Sequence, residues 1–375
     1  MWFNRFYEED KPFLIKGKVN LLYGPRRVGK TSLIEKILSE TNKNTFIGSG
    51  DDIQVRNILG SEDKTKILSS FDTYDYIFID EAQRINKIEW GLKILIDNLS
   101  NSTIIASGSS SFQLSSQVGA PLTGRSITNK LYPISILELK KQYGGMHILQ
   151  NLENFIIYGM YPEVLNLKNN QNKISYLNEL RNSYLLKDIL EFENIRNSDK
   201  LIDLLRLLAY QIGHEVSLNE LGNSLSLSKH TVAKYIDLLE KVFIIKKIGG
   251  YSNNLRKEVS KSSRYYFYDN GIRNTIINNF SPIELRNDIG MLWENFAIME
   301  RLKKQEYHNI FSNNYFWRTY DKKEVDFVEE RNGKLFGFEF KWNPKKIKIQ
   351  KEWLNSYTNA SFDVIHRDNF LPFII

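Results

Sequence analysis

Eight consecutive residues, Gly24, Pro25, Arg26, Arg27, Val28, Gly29, Lys30 and Thr31, fit the spacing G-x-x-x-x-G-K-[ST]. Glycines in such a loop let backbone N–H groups curl around phosphate oxygens. Lys30 has the length to reach β- and γ-phosphates, and the hydroxyl of Thr31, with Ser32 beside it, suits a magnesium ion. The ligand this chemistry implies is ATP with Mg²⁺. Some fifty residues on, the run YIFIDE ends in Asp80 and Glu81. A carboxylate at the end of an apolar strand can hold Mg²⁺ through water, and the next one can polarise an attacking water. Ser109, after the run TIIASG, can hydrogen-bond a γ-phosphate or can belong to a Ser-rich turn. Arg125 can act as a charge-sensing, finger-like arginine or stand on the surface.

A second set of charged residues lies near the C-terminus, in EVDFVEERNGKLFGFEFKW. Asn332-Gly333 is a strong hairpin signal. A two-residue loop there pairs Arg331 with Lys334. The same register, continued, sets Asp326 opposite Glu339 and Glu324 opposite Lys341 on one face. Val325, Phe327, Phe336, Phe338, Phe340 and Trp342 then share the other, apolar face. Opposed carboxylates about 4.5–5.5 Å apart at Cβ repel each other. A divalent cation held by Asp326 and Glu339 removes that repulsion, and so would ion pairing on an exposed strand face. Glu294 sits about 200° around its helix from Leu292 and is either a third carboxylate or a solvated residue.

A third pattern concerns nucleic acid. Ser217 and Glu220 form the signature of a helix start, and Ser228 precedes the helical run KHTVAKYIDLLEKV. Helix, short helix, turn, helix and ribbon is the order of a winged helix-turn-helix, whose second helix enters a groove by its first residues. These are Lys229, His230 and Thr231, with Lys234 one turn on, while Val232, Ile236 and Leu239 face inward. Lys241, Lys246, Lys247, Arg256, Lys257, Lys261 and Arg264 follow with one acid, Glu258. Such a stripe suits phosphate contact, although winged helices also dock proteins.

The elements that must hold these groups read as follows. Apolar runs at 19–24, 74–80 and 103–108 alternate with helical stretches, which argues for a parallel sheet covered on both faces. LIDLLRLLAYQIG is apolar nearly all round and reads as a buried helix. The 375 residues, 42% hydrophobic and 25% charged, suit two to three globular domains and exclude a disordered chain. With no cysteine, disulfides, thiol nucleophiles and Cys-ligated zinc are excluded. No apolar run is long enough to span a membrane, and the start MWFNRFYEED does not read as a signal peptide, so the cytoplasm is expected. A net charge of +7 suits a nucleic-acid partner.

GPRRVGKT, IFIDEAQR, ASGSSS, LTGR, YGMYPEVL, YYFYDNGIRN, LWENF, WRTYDKKEVDF and FEFKW together resemble a family of archaeal and bacterial AAA-type P-loop ATPases. Its members carry a helix-turn-helix and a C-terminal domain of unknown function that looks like a restriction-endonuclease, PD-(D/E)xK, fold. The resemblance implies an α/β chain: an AAA-type P-loop core over 1–146, a helical lid over 147–197, a winged helix-turn-helix over 198–262, and a mixed α/β nuclease-like domain over 263–375. It implies nucleotide binding by Gly29, Lys30 and Thr31, metal and water roles for Asp80 and Glu81, and a sensor role for Ser109. The nuclease motif maps to Asp326, Glu339 and Lys341, with Glu294 as the helical acid and Val325 in place of the motif's proline. Three readings follow: a DNA-associated ATPase, a gated metal-dependent nuclease, and a nucleotide-dependent switch that docks a protein with the nuclease-like domain inactive. A homo-oligomer is compatible with each.

Overall fold

The computed structural model describes residues 1–9, 14–108, 121–182, 198–252, 263–319, 323–343 and 351–375. Two compact units form. One holds Trp2–Ile134 with Lys241–Phe243, and the other holds Met1, Ser135–Glu240 and Ile244–Ile375. The expected boundaries at 146 and 262 do not follow this division. Within Ile136–Tyr158 two helical stretches meet at a kink at Gly144 (φ 82°, ψ 170°), close to 146. Residue 262 falls directly before the strand Ser263–Phe267, whose sheet partners precede it in the chain. Residue 197 lies outside the described residues.

In the first unit, β1 (Val19–Tyr23), β2 (Thr45–Ser49), β3 (Tyr76–Asp80), β4 (Thr103–Gly108) and β5 (Ser126–Lys130) form one sheet in the order β2-β3-β4-β1-β5. Every pair is parallel. β1 and β4 are buried along their whole length, as strands covered on both faces must be. The expected three strands are present, and the less apolar β2 and β5 extend the sheet to its edges. Parallel alignment gathers the carboxyl ends of β1, β3 and β4 at one rim, and the phosphate-loop candidate and Asp80 both lie there.

In the second unit, a seven-stranded mixed sheet runs β12-β11-β10-β9-β7-β8-β6. Its strands are β6 (Glu215–Val216), β7 (Ile245–Gly250), β8 (Ser263–Phe267), β9 (Asn313–Arg318), β10 (Glu324–Arg331), β11 (Lys334–Lys341) and β12 (Ala360–His366). β7 pairs with β9 and β11 with β12 in parallel, and the other pairs are antiparallel. The turn Asn332-Gly333 has φ of 50° and 71°, and Arg331 pairs with Lys334 as its type requires. Further along β10 the register against β9 shifts between Val325 and Val328. This bulge corrects the expected face of Val325. Val325 joins Trp317, Val328, Leu335 and Trp353 in one core cluster, whereas Phe327 packs against Phe338. An extra residue in one strand reverses the alternation beyond it.

Helix Ser198–Tyr210 is amphipathic rather than buried all round, with Leu204 and Leu208 inside and Arg206 and Tyr210 outside. Helix Ile289–Tyr307 shows the reverse. It buries Asn295, Glu300, Arg301, Lys303 and Gln305 as well as its apolar stripe. Each polar group has a partner there: Asn295 bonds both backbone groups of Phe267, and Lys303 pairs with Glu300, which also accepts from Ile136 N.

Asp269 is buried among backbone donors. It accepts from Met160 N at 2.7 Å and caps the next helix through Ile272 N at 3.2 Å. Burial pushes its pKa up from 3.8 to about 6, against the pull of those bonds. An acid that holds its proton more tightly when folded stabilises the fold fully below about pH 4. That contribution is lost as pH rises toward about 6. Asp269→Asn should therefore flatten the pH dependence of the melting temperature in that window, and an unchanged slope would refute the assignment.

Candidate nucleotide site and C-terminal carboxylate cluster

The loop from Gly24 to Gly29 joins β1 to helix Lys30–Ser39. Gly24 has φ 154°, and a Cβ there would collide with the Leu131 carbonyl oxygen. Gly29 has φ 93° and precedes the helix, so the free N–H groups of the first turn open onto the loop. Lys30 is 6% exposed, and its Nζ donates to the carbonyls of Gly24 (2.9 Å) and Pro25 (2.8 Å). Burial lowers its pKa to about 8, opposed by the nearby carboxylates of Glu81 and Asp80. Thr31 Oγ1 donates to Asp80 Oδ2 at 2.6 Å, across 49 residues of sequence. A hydroxyl and a carboxylate in contact are the hard oxygen donors that Mg²⁺ takes, so these residues fit the ion.

Three residues that the motif reading left out complete this site. Ser107 of β4 donates to Asp80 Oδ1. Gln83 Nε2 donates to Glu81 Oε2, and Glu81 itself has φ 46°. Arg5 is buried and donates to Val28 O at 2.5 Å and Tyr132 O at 2.7 Å, which pins the loop from outside. Arg125 pairs with Asp97 at 2.7 Å, both half exposed. Ser109 lies outside the described residues.

Near the C-terminus, the structure brings Glu294, Glu324 and Asp326 together around one guanidinium. Arg264 Nη2 lies 2.8 Å from Glu324 Oε2, and Nη1 lies 3.5 Å from Asp326 Oδ1 and 3.7 Å from Glu294 Oε1. Arg264, counted with the basic stripe, is thus removed from it: its side chain is 5% exposed. Tyr266 donates to Glu294 at 2.7 Å, and Phe340 N to Asp326 Oδ2 at 3.0 Å. Burial, with Asp326 adding to it, raises the Glu294 pKa to about 8. Lys341 pairs with Glu339 at 2.8 Å, and Glu339 Oε2 is buried with no hydrogen-bond partner. Among the described residues, no group of three or more His, Asp or Glu is arranged to hold a metal ion. The expected pair Asp326 and Glu339 is not drawn into one cluster: Asp326 faces Arg264 and Glu339 faces Lys341. The positive charge beside Asp326 is an arginine, and these residues as they stand do not fit a divalent ion.

Helix Lys229–Lys241 begins with Ser228 Oγ accepting from Thr231 N at 3.1 Å. Lys229, His230 and Lys234 are exposed and Thr231 is half-buried. Val232, Ile236 and Leu239 are buried, as their spacing requires. Lys246 is drawn to Glu240 at 3.0 Å. Arg256, Lys257, Glu258 and Lys261 lie outside the described residues.

Residues 16–140 match the profile of an AAA domain. This is a class of nucleotide-binding ATPase domains, and the phosphate-loop geometry lies within it. Residues 149–282 match a domain of unknown function (DUF8612), and residues 289–367 match another (DUF4143). An uncharacterized protein of Methanocaldococcus jannaschii is 25% identical over 334 residues, covering 84% of this chain and 73% of that protein. An uncharacterized protein of Mycobacterium tuberculosis is 24% identical over 331 residues, covering 88% and 71%. Over 117 residues, 31% of this chain and 29% of the other, it is 30% identical to a Holliday junction branch migration complex subunit, RuvB, of Fervidobacterium nodosum. Among the described residues, no helix is long and apolar enough to cross a membrane.

Proposed function

We propose that this chain binds and hydrolyses ATP with Mg²⁺ and associates with DNA through helix Lys229–Lys241. The observation that carries the first part is the contact of Thr31 with Asp80, beside a buried Lys30 that donates to the loop carbonyls of Gly24 and Pro25. Mg²⁺ bound there would neutralise charge on the transferred phosphoryl group. Lys30 exchanges the Gly24 and Pro25 carbonyls for phosphate oxygens. Asp80 and Thr31 would hold the ion, with Ser107 fixing the second oxygen of Asp80. Glu81 takes a proton from the attacking water, and Gln83 orients its carboxylate.

Isothermal titration with ATP and Mg²⁺ tests this reading. Lys30→Ala should weaken affinity by about tenfold to a hundredfold, the cost of a lost charge-assisted contact. No binding heat in the unaltered protein would end the proposal.

The DNA part rests on three exposed groups, Lys229, His230 and Lys234, at the start of a helix that follows helix Leu218–Leu225 after a short turn, the order in which a helix-turn-helix presents its reading helix. The name of the branch-migration relative also supports it. Anisotropy titrations with a DNA duplex at several salt concentrations should show a steep slope. Replacing Lys229 and Lys234 by alanine should reduce that slope by about two. Absent or salt-insensitive binding would favour a protein partner instead.

A further inference from the structure

We infer that Arg264 is the resident cation of the C-terminal carboxylate cluster, and that the cluster takes no divalent metal ion while this arginine is in place. The inference does not depend on the proposed ATPase or DNA activity.

Four observations carry it. First, the guanidinium is almost wholly enclosed, at 5% exposure, and its two terminal nitrogens face Glu294, Glu324 and Asp326 at 2.8–3.7 Å. A divalent ion serving the same carboxylates would need oxygen ligands at about 2.0–2.6 Å, in space the guanidinium fills. A second positive charge beside a buried one is also repelled. Second, the arginine is fixed from behind, with its guanidinium carbon 4.7 Å from the centre of the Phe316 ring. A planar cation stacked on an aromatic face does not swing freely. Third, Glu294 and Asp326 are held by further donors. Tyr266 is two residues further along β8, so strand alternation places it on the face of Arg264. It donates to the same Glu294 oxygen that Nη1 faces, and Asp326 Oδ2 accepts from Phe340 N. Fourth, Glu339 turns to Lys341. The cluster is therefore an ionic clasp that joins β8 to β10 and to helix Ile289–Tyr307. Metal-ion chemistry there would require β8 to give up its arginine.

Manganese titration of the nucleotide-free full chain, followed by electron paramagnetic resonance and by thermal unfolding, tests this. In the unaltered protein, Glu339→Gln should leave Mn²⁺ uptake unchanged, and EDTA should not lower the melting temperature. Arg264→Met should gain about one Mn²⁺ per chain, with a melting temperature that rises on adding Mn²⁺. That gain should vanish in Arg264→Met with Asp326→Asn. Mn²⁺ uptake by the unaltered protein that Glu339→Gln removes would overturn the inference. So would a folded Arg264→Met protein that gains no ion. If Arg264→Met does not fold, the comparison of the unaltered protein with Glu339→Gln decides alone.

Discussion

Glu81→Gln should lower ATP turnover by about 10²- to 10⁴-fold and leave ATP bound, the range expected when a positioned general base is lost. The geometry explains why this residue rather than Asp80 carries the effect. Both oxygens of Asp80 are occupied, one by Thr31 and the other by Ser107 of β4. Glu81 follows β3 in a left-handed conformation that turns its side chain away from the run of the strand, and Gln83 holds one of its oxygens. An amide at position 81 keeps the volume but cannot accept a proton from water. Steady-state phosphate release, read beside binding of a fluorescent ATP analogue, separates the two effects. Unchanged phosphate release would reassign the base. Loss of binding together with turnover would mean that Glu81 shapes the pocket instead.

The second large effect concerns stability. Glu329 is fully buried on β10 and receives Arg301 through both oxygens, at 2.5 and 2.9 Å, with Gln305 at 2.8 Å and Arg331 at 3.0 Å. Arg301 also donates to Phe373 O at 2.6 Å, which anchors the last helix, Leu371–Ile374. Glu329→Ala leaves that guanidinium buried without its carboxylate and should cost about 3–5 kcal/mol. This is a large share of the roughly 5–15 kcal/mol that holds a typical fold together. Urea unfolding should show the loss in the transition of the second unit. Glu329→Leu combined with Arg301→Met should recover much of it, because the cost lies in stranding one charge. A loss below about 1 kcal/mol in Glu329→Ala would refute the account.

What could be read from the chain depended on how local the determining contacts are. The phosphate loop is eight adjacent residues, and its glycines and lysine identify themselves by spacing. Asp80 was legible because it ends an apolar strand, although its partner Thr31 is 49 residues away. Ser107 was not, because its contact depends on β4 lying between β3 and β1. Arg264 was misplaced because a basic residue in a basic run reads as surface. Only the folded sheet brings it to acids 30 to 62 positions on, at Glu294 and Asp326. Helix Ile289–Tyr307 hid its buried ion pairs for the same reason, since a polar residue off the apolar stripe looks solvated until its partner is known. The bulge near Val325 left no mark in the alternation of residue types, and β12 pairs in parallel with a strand that no turn connects to it.

Inside the seven-stranded sheet, away from its short edge strand β6, the pairing of β7 with β9 is narrow. Among the described residues, β7 and β9 share two register pairs, Gly249 with Tyr315 and Gly250 with Phe316, extended by Tyr251 N to Phe316 O at 2.6 Å. The flanking ladders, β9 with β10 and β7 with β8, are longer. A plank glued along so short an edge creases there first, so amide hydrogens at Gly250 and Tyr251 should exchange ahead of those in β10 and β11. The arginine lying across this crease then acts as a rivet, and cutting it would let the ribbon of β6, β7 and β8 flex against the rest of the sheet.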